Sequence, residues 1–357
     1  MPMRLDDLIK NEVRGQQAYV AEMSIYPIGP VRLDANENPF SLPAELHNEF
    51  MAALGRVSLN RYPEAGSPTL LARFAARCGV APDMIIAGNG SDELIQVLCT
   101  SLVPTRVMVP VPTFVMYRIT ALNNGHKVIE VPLDDRCDLD LPVMLELMDI
   151  HAPGLIFLSF PNNPTGNCFS REKIKALLEK APGLVVVDEA YGNFSGQTFL
   201  PLLEKYENLV ILKTLSKIGL AALRIGFLIG PSPLVNELNK VRLPYNINSL
   251  SQAAAGFYLD YEAVFLAQAA EIVRGREQLF SALQKLPGIR PYPSAANFIF
   301  FSCLSDTNRV YTTLREQGIM VRHFPVAGNF TNCLRVTVGT QRENEIFLGA
   351  LERAIAK

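Results

Sequence analysis

The chain has no C-x-x-C pair, no H-x-x-x-H pair and no long basic run. Its six cysteines, at 78, 99, 137, 168, 303 and 333, lack the spacing of a metal or thiol-redox site and sit in mostly apolar surroundings. Buried free thiols in a reducing cytoplasm are the expectation. The four histidines, at 47, 126, 151 and 323, give no ligand pattern, so no metal is expected. No apolar run approaches the ~20 residues that span a bilayer. The opening residues Met1 to Asp7 lack the apolar stretch of a signal peptide. With 33 basic and 35 acidic residues the net charge is −2, which argues against a nucleic-acid partner and leaves small anions open. There is no internal repeat and no low-complexity segment.

What is present is a long, apolar-rich chain. Its 357 residues, 49% hydrophobic, suit two domains of ~100–200 residues each. Short apolar runs at Met84–Ala87, Arg106–Val109, Lys127–Val131, Leu155–Leu158, Leu184–Val187, Leu209–Leu212 and Ile225–Ile229 read as strands. Helical spacing separates the first of them, over Asp92–Leu102 and Phe114–Asn123. Continuous apolar runs alternating with helices predict an α/β fold with a large, mostly parallel buried sheet. Leu250–Lys285 is helical in pattern, and Asn297–Phe301 and Cys333–Val338 read as strands of a smaller α+β domain. The expected division is an N-terminal segment 1–40 packed on the small domain, a large domain 41–240 and a small domain 241–357.

Ligands of such sheets bind at the carboxyl ends of the strands, and four motifs fall there. Gly88-Asn-Gly-Ser-Asp-Glu93 follows a strand and opens a helix. Glu93 stands where a dinucleotide fingerprint needs its third glycine, so a monophosphate on the helix N-terminus is the better reading. Ser91 adds a hydroxyl. Asp92, also on the ligand side, and Glu93 would repel a phosphate, so their carboxylates are expected to point away. Phe160-Pro-Asn-Asn-Pro-Thr-Gly166 is a tight loop that presents the Asn163 amide. Val187-Asp-Glu-Ala-Tyr191 ends a buried strand with an acid. A buried acid needs a partner, and Asp188 suits either a helix cap or a protonated pyridine nitrogen. An opposite charge there shifts a pKa by ~1–3 units, each about 1.4 kcal/mol.

The fourth motif is Thr214-Leu-Ser-Lys-Ile-Gly219 with Arg224. A primary amine forms an imine with an aldehyde, and a hydroxyl with a guanidinium holds a phosphate. The set describes a seat for pyridoxal 5′-phosphate. Lys217 is the amine and later the proton-transfer base, with Lys213 the alternative. Ser216 and Arg224 hold the phosphate, and Asp188 faces the ring nitrogen. Asn163 and Tyr191 donate to the ring oxygen.

Together these motifs resemble the fold-type I aminotransferases, and within them the histidinol-phosphate aminotransferase branch. The narrower marks are Leu33-Asp-Ala-Asn-Glu-Asn-Pro39 and Arg61-Tyr-Pro-Glu64. Pro112-Thr-Phe-Val-Met-Tyr117 and Cys333-Leu-Arg-Val-Thr-Val-Gly339 extend the likeness along nearly the whole chain. The resemblance implies that Phe114 stacks on the cofactor ring. It implies that Tyr62 reaches the cofactor phosphate of a partner subunit in a homodimer. Arg335 would bind the acidic end of the substrate, with Asn163, Arg322 and Tyr19 as further contacts. The implied reaction takes imidazole-acetol phosphate and glutamate to histidinol phosphate and 2-oxoglutarate. Threonine-phosphate decarboxylase and aromatic amino-acid aminotransferase share the fold, and an idle regulator of the same fold would carry a DNA-binding module. Two departures stand out. Lys217 and Arg224 are seven residues apart, not the common eight, a difference Gly219 can absorb. Ala18-Tyr19 replaces the usual Pro-Tyr.

Overall fold

In a computed structural model, residues 8–16 and 31–356 are described, and thirteen strands lie among them. They are β1 (Val31–Arg32), β2 (Ile85–Gly88), β3 (Arg106–Val111), β4 (Lys127–Pro132), β5 (Leu155–Ser159), β6 (Leu184–Asp188), β7 (Leu209–Thr214), β8 (Gly226–Ile229), β9 (Ile289–Pro291), β10 (Phe298–Cys303), β11 (Ile319–Met320), β12 (Arg322–Ala327) and β13 (Phe330–Thr337). Seven form the large sheet in the order β2-β8-β7-β6-β5-β3-β4.

Every apolar run read as a strand is one. β5 shows why such runs are continuous. Leu155 and Phe157 pack on one face of the sheet with Leu94, Leu98 and Tyr117. Ile156 and Leu158 pack on the other with Ile174 and Leu177. With helices on both faces, neither set of alternate positions meets water.

The pairs from β4 to β7 are parallel, but β8 runs antiparallel to both β7 and β2. Apolarity reports burial, not direction. The link 215–225 is too short for a parallel crossover, which takes a dozen residues or more.

The helices Ser91–Ser101 and Val115–Asn123 lie where spacing placed them. The Leu250–Lys285 stretch is two helices, Ser249–Asp260 and Glu262–Leu283. Tyr261, at φ −117° and ψ 24°, breaks the run. Asn248 begins it by accepting the Ser251 N–H, an ordinary N-cap.

A second, antiparallel sheet has the order β12-β13-β10-β9, with the helices Thr307–Glu316 and Gln341–Ile355 alongside. β1 pairs in parallel with β11. The Leu33 N–H then donates to the Met320 carbonyl and the Thr337 N–H to the Leu33 carbonyl, both at 2.8 Å. Residues 31–36 are thus tied to this sheet. No helix among the described residues is long and apolar enough to cross a membrane.

Candidate active site

A cavity of about 330 Å³ opens where β5, β6 and β7 end, between the two sheets. Pockets of this size hold small ligands. Eleven of the residues singled out from sequence line it: Ser91, Asp92, Phe114, Asn163, Asp188, Tyr191, Ser216, Lys217, Arg224, Arg322 and Arg335.

The two candidate amines are now distinguishable. Lys213 turns away and pairs with Glu189 at 2.7 Å. The Glu189 side chain is fully buried and also accepts from the Thr198 hydroxyl and the Phe199 N–H. Lys217 lies beyond the end of β7 and faces the cavity. Its Nζ donates to the Ala35 carbonyl at 3.1 Å and lies 5.9 Å from the Tyr191 ring centroid.

An anion seat forms beside it. Arg224 donates from Nη1 to the Ser216 hydroxyl and from Nη2 to Asp92, each at 3.2 Å. The helix Ser91–Ser101 begins at the same place, with its unsatisfied first-turn N–H groups. The backbone there is close-fitting. A Cβ on Gly90 would lie 2.6 Å from Arg224 Nη2, and one on Gly226 would lie 2.5 Å from the Ser91 nitrogen. Gly219 takes φ 119°, and Arg224 itself takes φ 54°. The short Lys217–Arg224 loop is closed by that glycine, which has no Cβ to clash. One expectation fails. Glu93 does turn from the cavity, toward the Asn89 N–H and Asn246, but Asp92 points in. Its carboxylate is held by the arginine, so the repulsion expected of it is compensated locally.

Asp188 is the last residue of β6, 3% exposed, and its register partner on β5 is Ser159. Oδ2 accepts from the Tyr117 hydroxyl at 2.7 Å, and Oδ1 from the Ala190 N–H at 3.0 Å. It caps no helix: the next one, Gly192–Ser195, is preceded by Tyr191 without a side-chain bond. Burial pushes the Asp188 carboxyl up to about 6, against the pull of those two donors. A carboxylate so placed favours a cationic N–H partner.

Tyr191 is buried and its hydroxyl accepts from Asn36 Nδ2 at 2.9 Å, which frees its own proton to donate into the cavity. Asn36 sits at φ 55°, with its backbone N–H on the Thr337 hydroxyl and its carbonyl taking the Asn297 amide. Asn163 accepts from Arg335 Nη1 at 2.5 Å, which turns its amide nitrogen the other way. Arg335 also donates to the Asp34 carbonyl at 2.6 Å and lies over the rings of Phe298 and Phe324, at 5.2 and 5.8 Å. Arg322 faces Arg335 across the β12–β13 ladder.

Two residues lie elsewhere. Tyr62 does not line the cavity; it is 80% exposed and stacks on Tyr245 at 4.6 Å. Tyr19 lies outside the described residues. Tyr117 and Asn36 were not singled out, although both belong to quoted motifs. The donor set fits a phosphorylated pyridine aldehyde: an amine, a buried acid, a phosphate seat cradled by glycines and two donors for a ring oxygen.

The family model for class I and II aminotransferases matches residues 28–351. A histidinol-phosphate aminotransferase of Nitrosococcus oceani is 44% identical over 355 residues, 98% of each chain. One from Aquifex aeolicus is 39% identical over 353 residues, again 98% of each. The crystal structure of histidinol-phosphate aminotransferase from Sinorhizobium meliloti in complex with pyridoxal-5'-phosphate matches with a TM-score of 0.88 at 23% identity. The match covers 98% of this chain and 97% of that one, a likeness of fold.

Proposed function

The chain belongs to the class I and II aminotransferases, and we propose that it transfers an amino group from L-glutamate to imidazole-acetol phosphate, giving L-histidinol phosphate and 2-oxoglutarate, with pyridoxal 5′-phosphate as cofactor. Relatives bearing that name at 44% and 39% identity over nearly the full chain support it. The observation that carries it is Arg322 opposite Arg335, both lining one cavity. Two guanidiniums on one cavity wall offer more charge-assisted donors than a single carboxylate needs, which suits a doubly charged phosphate.

The cofactor, when bound, supplies an electron sink for the carbon that loses its proton. The protein does the rest. Lys217 would hold the aldehyde, and its Nζ would move a proton at the reacting carbon. Arg224, Ser216 and the helix start at Ser91 hold the cofactor phosphate, and Asp92 holds Arg224. Asp188 keeps the proton on the ring nitrogen. Asn163 and Tyr191 donate to the ring oxygen, and Phe114 covers one ring face. Arg335 and Arg322 bind the acidic end of each substrate in turn.

The same reading makes the enzyme a homodimer in which Tyr62 reaches the partner's cofactor phosphate; its exposure away from its own cavity supports this. The packing of the N-terminal segment on the small domain is supported by the bonds of residues 31–33 to β11 and β13. Six free thiols support a cytoplasmic location. Steady-state kinetics with histidinol phosphate, phenylalanine and threonine phosphate test the assignment. Turnover of histidinol phosphate with 2-oxoglutarate is expected. Carbon dioxide released from threonine phosphate without glutamate turnover would overturn it.

A further inference from the structure

Tyr117 has had no part in the chemistry so far, yet it holds the buried acid. It is fully buried, and its hydroxyl donates to Asp188 Oδ2 at 2.7 Å from 71 positions away. Its ring lies parallel to Phe157, with centroids 4.7 Å apart and an interplanar angle of 0°. The Phe114 ring meets it edge-on at 5.5 Å and 85°. One side chain therefore touches the acid at the end of β6 and the aromatic ring at the head of the helix Val115–Asn123.

We propose that Tyr117 is a positioning residue: its hydroxyl keeps the Asp188 carboxylate ionised and aimed at the ring nitrogen, while its ring seats Phe114 over the ring face. This rests on the reading that Asp188 meets that nitrogen. The donors on Asp188 divide cleanly, Tyr117 on one oxygen and the Ala190 N–H on the other. A carboxylate has about four acceptor sites, so room remains for one more N–H. Tyr117 is the strongest influence opposing burial at Asp188. Asp92 and Glu189 act with burial, and Lys213 meets the Glu189 charge. Tyr191 and Lys217 face the same cavity. Burial and the Asp188 charge push the Tyr117 hydroxyl well above its ordinary value, so it remains a donor throughout the working range. Ala190 alone would leave one carboxylate oxygen without a protein donor.

The test uses the holoenzyme of Tyr117→Phe, which keeps the stacked ring and loses only the donor. Two readouts follow: the rate of cofactor release on dilution, seen in the visible band, and the pH profile of the glutamate half-reaction. Release is expected about tenfold faster, and the acid limb about one unit higher, because losing a hydrogen bond to the charged form raises the carboxyl pKa. Thermal stability should change by only a few degrees. D188N should show larger changes in both readouts, and Y117F/D188N should be no worse than D188N. Y117F unchanged within twofold while D188N is altered would overturn the proposal, as would additive losses in the double variant. D188N itself leaving both readouts unchanged would remove the reading of Asp188 on which it rests.

Discussion

Asn36 donates its side-chain amide to the Tyr191 hydroxyl at 2.9 Å, across 155 positions of sequence. The bond joins a segment tied to the second sheet to the end of the first. Asn36→Ala removes it and places a Cβ-bearing residue without a local hydrogen-bonding side chain at φ 55°. A loss of about 1–3 kcal/mol in urea unfolding is expected, with a lower kcat. A variant as stable as the parent would refute the bridging role.

Lys213 and Lys217 should fail in opposite ways. Lys217→Ala is expected to fold normally and lose at least ~10²-fold in kcat, because the proton-transfer base is gone. Lys213→Ala leaves the fully buried Glu189 charge without its cation. Stability should drop by about 3–5 kcal/mol while the enzyme that remains folded turns over normally. Kinetics and thermal melts on both variants decide the matter, and the reverse pattern would reassign the amine.

Asp188 makes the cofactor-free protein sensitive to pH in a definite direction. Its folded-state value, raised to about 6, lies above the ordinary ~3.9 of an unfolded aspartate. The native state therefore holds a proton that the unfolded state has released, and stability from this group falls as pH climbs from about 4 to 6. Asp188→Asn removes the titration. Its stability relative to the parent should rise by about 2 kcal/mol between pH 4 and 7 in paired urea titrations. Parallel curves would contradict the assignment.

Arg335 and Arg322 should separate the two substrates. Arg335→Ala should weaken glutamate and histidinol phosphate alike, by roughly tenfold to a hundredfold in kcat/KM, as for loss of charged hydrogen bonds. Arg322→Ala should act mainly on the phosphorylated substrate, because a carboxylate needs only one guanidinium. Equal losses on both substrates for R322A would mean that the second arginine does not read charge.

Much of this site was legible because its chemistry sits in short motifs at strand ends. Asp188, Lys217 and Arg224 needed only the pattern of a buried apolar run followed by a polar turn. Tyr117 was not legible, because its meaning is a contact with a residue 71 positions away. The inward aim of Asp92 depends on Arg224, 132 positions on, which no local helix-dipole argument can supply. In the fold, β5 and β6 declared themselves by burial on both faces. The strands β1 and β11 are two residues each, too short for periodicity. β12 is half exposed and contains a proline, so its pattern is neither continuous nor alternating.

Residues 34–36 touch three functional groups in succession: the Asp34 carbonyl meets Arg335, the Ala35 carbonyl meets Lys217, and the Asn36 amide meets Tyr191. The arginine and the lysine proposed for the substrate's acidic end and for proton transfer therefore hydrogen-bond to one tripeptide. The two carbonyls belong to neighbouring residues and are separated by a single peptide bond, so the backbone that receives the arginine also receives the lysine.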